Sequence, residues 1–130
     1  MFRLVKVLNA HNQAEVKLVN RNSRISITPG CALTCTNGIA STPLTSDSPE
    51  YIALANNYYS NPNKVGGMLV TEDMVFKVEY IGNVTPIIGM SVGLASGGDT
   101  VDSVTYNSSG KGTIIGLDDD KRFVYVRFRK

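Results

Sequence analysis

The sequence predicts an all-β domain, a small barrel or sandwich of short antiparallel strands, with one short helix in a long loop around residues 49–60. Three observations predict it. Runs rich in Val, Ile, Thr, Phe and Tyr recur along the chain, several of them alternating apolar and polar. Clusters of Gly, Asn, Asp, Ser and Pro separate these runs about every eight to twelve residues, the spacing of small all-β domains. Of the 130 residues, 42% are hydrophobic and 18% charged, enough to fill one core and too apolar for a disordered chain.

From the N-terminus, residues 2–8 form the first expected strand, with Val5 and Val7 on one face and Phe2, Leu4 and Leu8 on the other. Residues 14–19 and 24–28 read as short strands around a polar turn, and Pro29-Gly30 breaks the second. Residues 31–36 resume a strand that ends at the turn signal Asn37-Gly38, and residues 39–49 have no period and read as a loop. Ser48-Pro49-Glu50 before Tyr51, Ile52, Leu54 and Ala55 has the form of a helix start: an N-cap, a proline at the first helical position and an acid in the first turn. The asparagines from Asn56 onward would stop it. Six further strands are expected at residues 68–71, 75–80, 91–94, 101–106, 112–117 and 122–129. Gly66-Gly67 and Gly97-Gly98 read as turn glycines, no internal repeat is visible, and residues 1–130 read as a single domain. Residues 1–8 are a candidate N-terminal strand or arm used in assembly.

Few side chains suggest chemistry. One histidine, His11, lies in a polar turn, and the two cysteines, Cys31 and Cys35, are four apart on an expected strand. That spacing puts them on one face about 13 Å apart, beyond disulfide reach, so reduced thiols are expected. With one His and two Cys no zinc set can be assembled, and no nucleophile–base pair can be drawn. No enzyme activity, cofactor or metal site is expected. Asp118-Asp119-Asp120 lacks the alternating ligands of a calcium loop and reads as a solvated hairpin turn. The glycine pairs are not followed by the Lys-Ser/Thr of a phosphate loop.

A net charge of +2 is too small for a nucleic-acid footprint without a local patch. The last strand is the one candidate patch: its period of two puts Val124, Val126 and Phe128 on one face and Phe123, Tyr125, Arg127 and Arg129 on the other. Aromatic and arginine side chains sharing a face can stack on bases and meet phosphates, but the same face serves a protein interface. The start of the chain has no signal-peptide pattern, and no apolar run nears the roughly 18 residues that span a bilayer, so no membrane association is expected.

The second half carries an outline of its own: residues 75–80, then Gly82-Asn83-Val84-Thr85-Pro86-Ile87-Ile88-Gly89-Met90-Ser91-Val92-Gly93-Leu94, then Gly112-Thr113-Ile114-Ile115-Gly116-Leu117 and a terminal alternating strand. Over residues 65–130 this resembles the small head-decoration (capsid cement) proteins of tailed bacteriophages. The resemblance implies a compact β domain, often a homotrimer, seated on the major capsid protein lattice and located in the virion after synthesis in the host cytoplasm. It implies that an N-terminal segment, here Met1, Phe2, Arg3, Leu4, Val5, Lys6 and Val7, reaches to the capsid by strand addition. The expected function is therefore a structural virion protein that binds the outside of a phage capsid and stabilises the shell. The competing readings are a small β module for single-stranded nucleic acid or carbohydrate, and another head or tail component. Six tyrosines and no tryptophan make a poor sugar platform.

Overall fold

The computed structural model describes residues 1–9, 13–21, 27–41, 48–55, 63–95, 111–120 and 122–129, together with the backbone of 100–103. Eleven strands are found among them: β1 (Arg3–Val7), β2 (Val16–Arg21), β3 (Ala32–Thr36), β4 (Ile39–Ser41), β5 (Tyr51–Ala53), β6 (Lys64–Leu69), β7 (Met74–Tyr80), β8 (Ser91–Leu94), β9 (Thr100–Ser103), β10 (Gly112–Leu117) and β11 (Phe123–Phe128). The all-β expectation holds. Strands β2-β4-β3-β5-β6 close into a small barrel. The other sheet runs β1-β7-β11-β10-β8-β9, and a β7–β9 pairing brings its far strand back to β7.

The two sheets share one plan, and here the expectation of no repeat is corrected. In each, the first strand runs parallel to the third (β2–β4, β7–β9) and all other pairings are antiparallel. The correspondence extends to single residues. A shift of 59 carries β2, β3 and β6 onto β7, β8 and β11, and a shift of 61 carries β4 and β5 onto β9 and β10. Thus Asn20↔Ile39 becomes Glu79↔Thr100, Leu33↔Tyr51 becomes Val92↔Gly112, and Ala53↔Gly67 becomes Ile114↔Val126.

The same shifts map hydrogen bonds outside the ladders. Gly30 N–H donates to Ala53 O at 2.7 Å, and Gly89 N–H to Ile114 O at 2.8 Å. Arg21 N–H donates to Asn63 O at 2.9 Å, and Tyr80 N–H to Arg122 O at 2.7 Å. Both units open β3 or β8 from a turn with a glycine at positive φ, Thr28-Pro29-Gly30-Cys31 (φ 81°) and Ile87-Ile88-Gly89-Met90 (φ 94°). Only a residue without a Cβ takes that third turn position cheaply. The sequence hides the repeat because matching positions keep their burial more than their identity: Leu33 and Val92, and Ala53 and Ile114, are buried pairwise although they differ, while Val19 and Val78, and Val65 and Val124, are isolated identities.

Each unit fills its interior mainly with small and branched side chains, as a narrow five-strand circuit favours, and the second adds Phe76 and Phe128. Val19, Ile27, Cys31, Leu33, Ala40, Ala53 and Val65 form the first cluster. The second holds Phe76, Val78, Val92, Leu94, Ile114, Val124, Val126 and Phe128, and it extends across to Ala32, Ile52 and Met68 on the outside of the first barrel. The units therefore share a continuous apolar seam.

Several local expectations are corrected. No helix begins at Pro49: Tyr51–Ala53 is a strand between β3 and β6, because pairing on both sides and burial of Ile52 and Ala53 outweigh a helix-start signal with little helix to follow. Residues 56–60 lie outside the described residues, as do Gly97-Gly98 and most of the expected strand at 24–28. The segment after Asn37-Gly38 returns at once as β4 through a turn with both residues at positive φ (52° and 76°). Gly66-Gly67 lies inside β6 rather than in a turn; a Cβ at Gly67 would come within 3.0 Å of the Tyr51 side chain on β5, so the glycine lets the two strands approach. A bulge between Leu4 and Lys6 breaks the alternation of β1, which turns Leu4 and Val7 alike to the core and leaves Val5 exposed. Cys31 and Cys35 are free thiols, the first buried and the second half-buried.

Candidate interaction surface

The period of two in β11 works as the sequence suggests: Val124, Val126 and Phe128 are buried, Phe123, Tyr125 and Arg127 are half-buried on the outer face, and Arg129 is exposed. The antiparallel register with β7 sets Tyr125 opposite Lys77 and Phe123 opposite Glu79. Lys77 Nζ consequently lies 5.3 Å from the Phe123 ring centre and 5.9 Å from that of Tyr125, and Arg122 stands 5.7 Å over Phe123.

The charges on this face are matched with partners. Lys77 Nζ is 3.0 Å from Asp118 Oδ2, and Arg122 meets Glu79 Oε1 at 3.1 Å. The hydrogen bond from Lys77 and the N–H of Asp119 hold the Asp118 carboxyl below its usual range, and the same bond to Asp118 pushes the Lys77 ammonium up. The Arg127 guanidinium donates twice to the main-chain oxygen of Glu72, at 3.0 and 2.8 Å. Asp118 to Asp120 begin the turn into β11, where Asp120 Oδ1 accepts from Arg122 N–H at 3.0 Å. Among the described residues, no group of three or more His, Cys, Asp or Glu is placed to hold a metal ion.

Two shallow clefts border the face. One, of about 260 Å³, is lined by Met1, Arg3, Lys77, Glu79 and Phe123, and so joins part of the N-terminal segment to the β11 face. The other, of about 280 Å³, includes Thr113, Ile115, Arg127 and Arg129. Lys77 and Glu79 were missing from the sequence reading, although the alternation of residues 75–80 already placed them on one side. The N-terminal segment is held as a strand against the body of the chain: β1 pairs with β7, Phe2 is 3% exposed between Phe76 and Phe128, and Phe2 N–H donates to Gly30 O at 2.7 Å. Lys6 is exposed beside Val5, and Leu4 and Val7 face the core.

A second surface was not foreseen. The loop between β7 and β8 presents Val84, Ile87 and Ile88 at 60–65% exposure. It is held by the Gly89 turn and by Tyr80 Oη donating to Val84 O at 2.6 Å. Its signal in the sequence was two β-branched residues, Ile87 and Ile88, directly before a turn glycine. Among the described residues no helix is long and apolar enough to cross a membrane.

No family model matches the chain, and no curated protein matches it in sequence. In structure it is similar to the head fiber gp8.5 N base in bacteriophage phi29, at 12% identity and a TM-score of 0.57, over 90% of this chain and 95% of that one. At that identity the likeness is one of fold, and it spans both five-strand units.

Proposed function

We propose that this chain is a structural protein of a tailed-phage head and that it works by binding the outer capsid surface, as a decoration protein or the base of a head fibre. The observation that carries the proposal is the chain-length fold likeness to a phage head fibre base, in which nearly all of both chains is used. The outer face of β7 and β11 supports a protein partner. It is half-buried, aromatic and of mixed sign, and its cations at Lys77, Arg122 and Arg127 are already engaged. Phosphate binding draws on cations free to release counterions, so this face suits another protein surface better than single-stranded nucleic acid. In such a role the protein stabilises whichever shell state displays its site, by mass action and without chemistry.

The test is co-sedimentation of the purified chain with phage heads lacking surface proteins. Binding at a fixed stoichiometry, unchanged by added single-stranded DNA and weakened by Tyr125→Glu, is the expected result. A chain that stays in the supernatant, or a Tyr125→Glu variant that binds as well as the parent, overturns the attachment or its assignment to this face.

A further inference from the structure

The two units differ at one edge. In the second unit, β7 carries β11 on one side; on the other it carries β9 at its C-terminal end and β1 along its N-terminal half, with Arg3 opposite Lys77 and Lys6 opposite Val75. In the first unit β2 carries β6 on one side and β4 at its C-terminal end. Along its N-terminal half, where β1 would lie by the same correspondence, no strand is found among the described residues.

The main chain there is aimed outward. Leu69 N–H donates to Glu15 O, so odd-numbered residues of β2 turn their N–H and C=O toward β6. Val16 and Leu18 therefore direct theirs to the open side, as their counterparts Val75 and Lys77 do toward β1. Their side chains are 60% and 51% exposed.

We infer that the open edge of β2 pairs antiparallel with the same edge of a second copy of this chain, with Val16 opposite Val16 across a two-fold axis. The sequence Ala14-Glu15-Val16-Lys17-Leu18 is self-complementary in that register. Glu15 faces the second copy's Lys17, Lys17 faces its Glu15, and Leu18 faces its Ala14. Glu15 and Lys17 already sit 3.6 Å apart within the chain, with half or more of each side chain in solvent, so they can exchange partners across the axis. On the opposite face Val16 and Leu18 of both copies would form one apolar strip. Opposite charges and apolar pairs set directly across strands both stabilise a ladder.

Charges on an edge strand commonly prevent such pairing. A guard of one sign would do that here, whereas alternating signs at this spacing repel only the shifted registers. The outer edge of β1 shows what a protected edge looks like: it carries Arg3, Lys6 and a bulge, while β2 pairs with β6 without interruption from Val16 to Asn20.

Light scattering on the full chain tests this independently of capsid binding, because heads are not needed. The expected mass is twice the 14.1 kDa of one chain. Glu15→Lys places lysine opposite lysine and should weaken the dimer about tenfold or more. Adding Lys17→Glu to it restores the complementary pattern and should restore the dimer. Val16→Pro removes an outward N–H and no bond to β6, so it should give a monomer with the parent's circular dichroism. A parent chain monomeric in the high-micromolar range, an assembly of another size, or a dimer indifferent to Glu15→Lys overturns the inference. A double exchange that does not recover the dimer rejects the proposed register.

Discussion

Phe2→Ala is the substitution that shows whether the N-terminal strand belongs to the folded core or is held in reserve as an arm. The Phe2 ring lies 6.1 Å from Phe76 at 90° and 5.7 Å from Phe128 at 61°, edge-on to both. Truncating a buried phenylalanine costs about 3–5 kcal/mol, which includes the cavity left behind. The lower figure applies here, since a strand at the chain terminus can shift and collapse part of that cavity. Unfolding entropy of about 2 cal/mol/K per residue then converts about 3 kcal/mol into a fall of about 11 °C in Tm for 130 residues. Val5→Ala, in the same strand but 48% exposed at the bulge, is the control and should change stability by less than about 0.5 kcal/mol. Urea and thermal unfolding followed by circular dichroism read both. If Phe2→Ala shifts Tm no more than Val5→Ala does, β1 is not packed in solution and the seam between the units is wrongly drawn. If the large shift is found, deleting residues 1–6 is a poor probe of capsid attachment, because the truncated chain would lose core as well as edge.

Gly89→Ala meets no atom within 4 Å but must adopt φ near 94°, so a loss of about 1 kcal/mol from backbone strain alone is expected in urea titration. Gly30→Ala should cost more, since its Cβ would also collide with the Met1 side chain. Asp118 titrates below its usual value in the folded chain, so its contribution is present above the unfolded pKa and is lost as pH falls through the folded one; Asp118→Asn should flatten the acid limb of the stability–pH curve. Lys77 is raised, so its share is present below its unfolded pKa and is lost as pH rises through the folded one; Lys77→Met should remove that alkaline loss. The Cys35 thiol is pushed up by burial and by the Glu50 carboxylate, and Cys31 is buried, so native protein should react slowly with a thiol reagent near neutral pH. Glu50→Gln should quicken Cys35, and unfolding should release both thiols at once.

Patterns carried on single strands were legible. The two faces of β11, the turn at Asn37-Gly38, the strand at β7 and the break at Pro29-Gly30 follow from local periodicity and turn chemistry, which need no partner. What failed needed knowledge of a neighbour. Tyr51–Ala53 is a strand only because β3 and β6 flank it, and Gly67 is a strand glycine only because Tyr51 leans over it. The repeat was illegible for a related reason. A barrel interior of this size asks for a fitting volume rather than a given residue, so Ala53 and Ile114 or Cys35 and Leu94 fill matching places with no visible kinship. The β11 face was half found, because a strand shows its own side chains but not the Lys77 and Glu79 that the ladder sets beside them.

The places where the repeat breaks its own rule bear on whether a further copy could stack in the manner of the two units. Inside the molecule the outer face of the first barrel gives Ala32, Ile52 and Met68 to the seam, and the second unit meets them with the end that carries Phe76 and Phe128. The matching outer face of the second unit carries Ser91, Thr113 and Arg127, and the matching end of the first carries Lys17 and Leu69. A further copy adding in the manner of the seam would therefore bring a polar face onto a charged end, where the internal seam has apolar surface on both sides. Polar outer faces on terminal repeats end stacked arrays in the same way. With continuation by the seam disfavoured at both ends, the surfaces that remain for contacts are those the repeat does not share: the aromatic and charged face around Tyr125, the Ile87-Ile88 loop, and the edge of β2 that has no counterpart of β1 among the described residues.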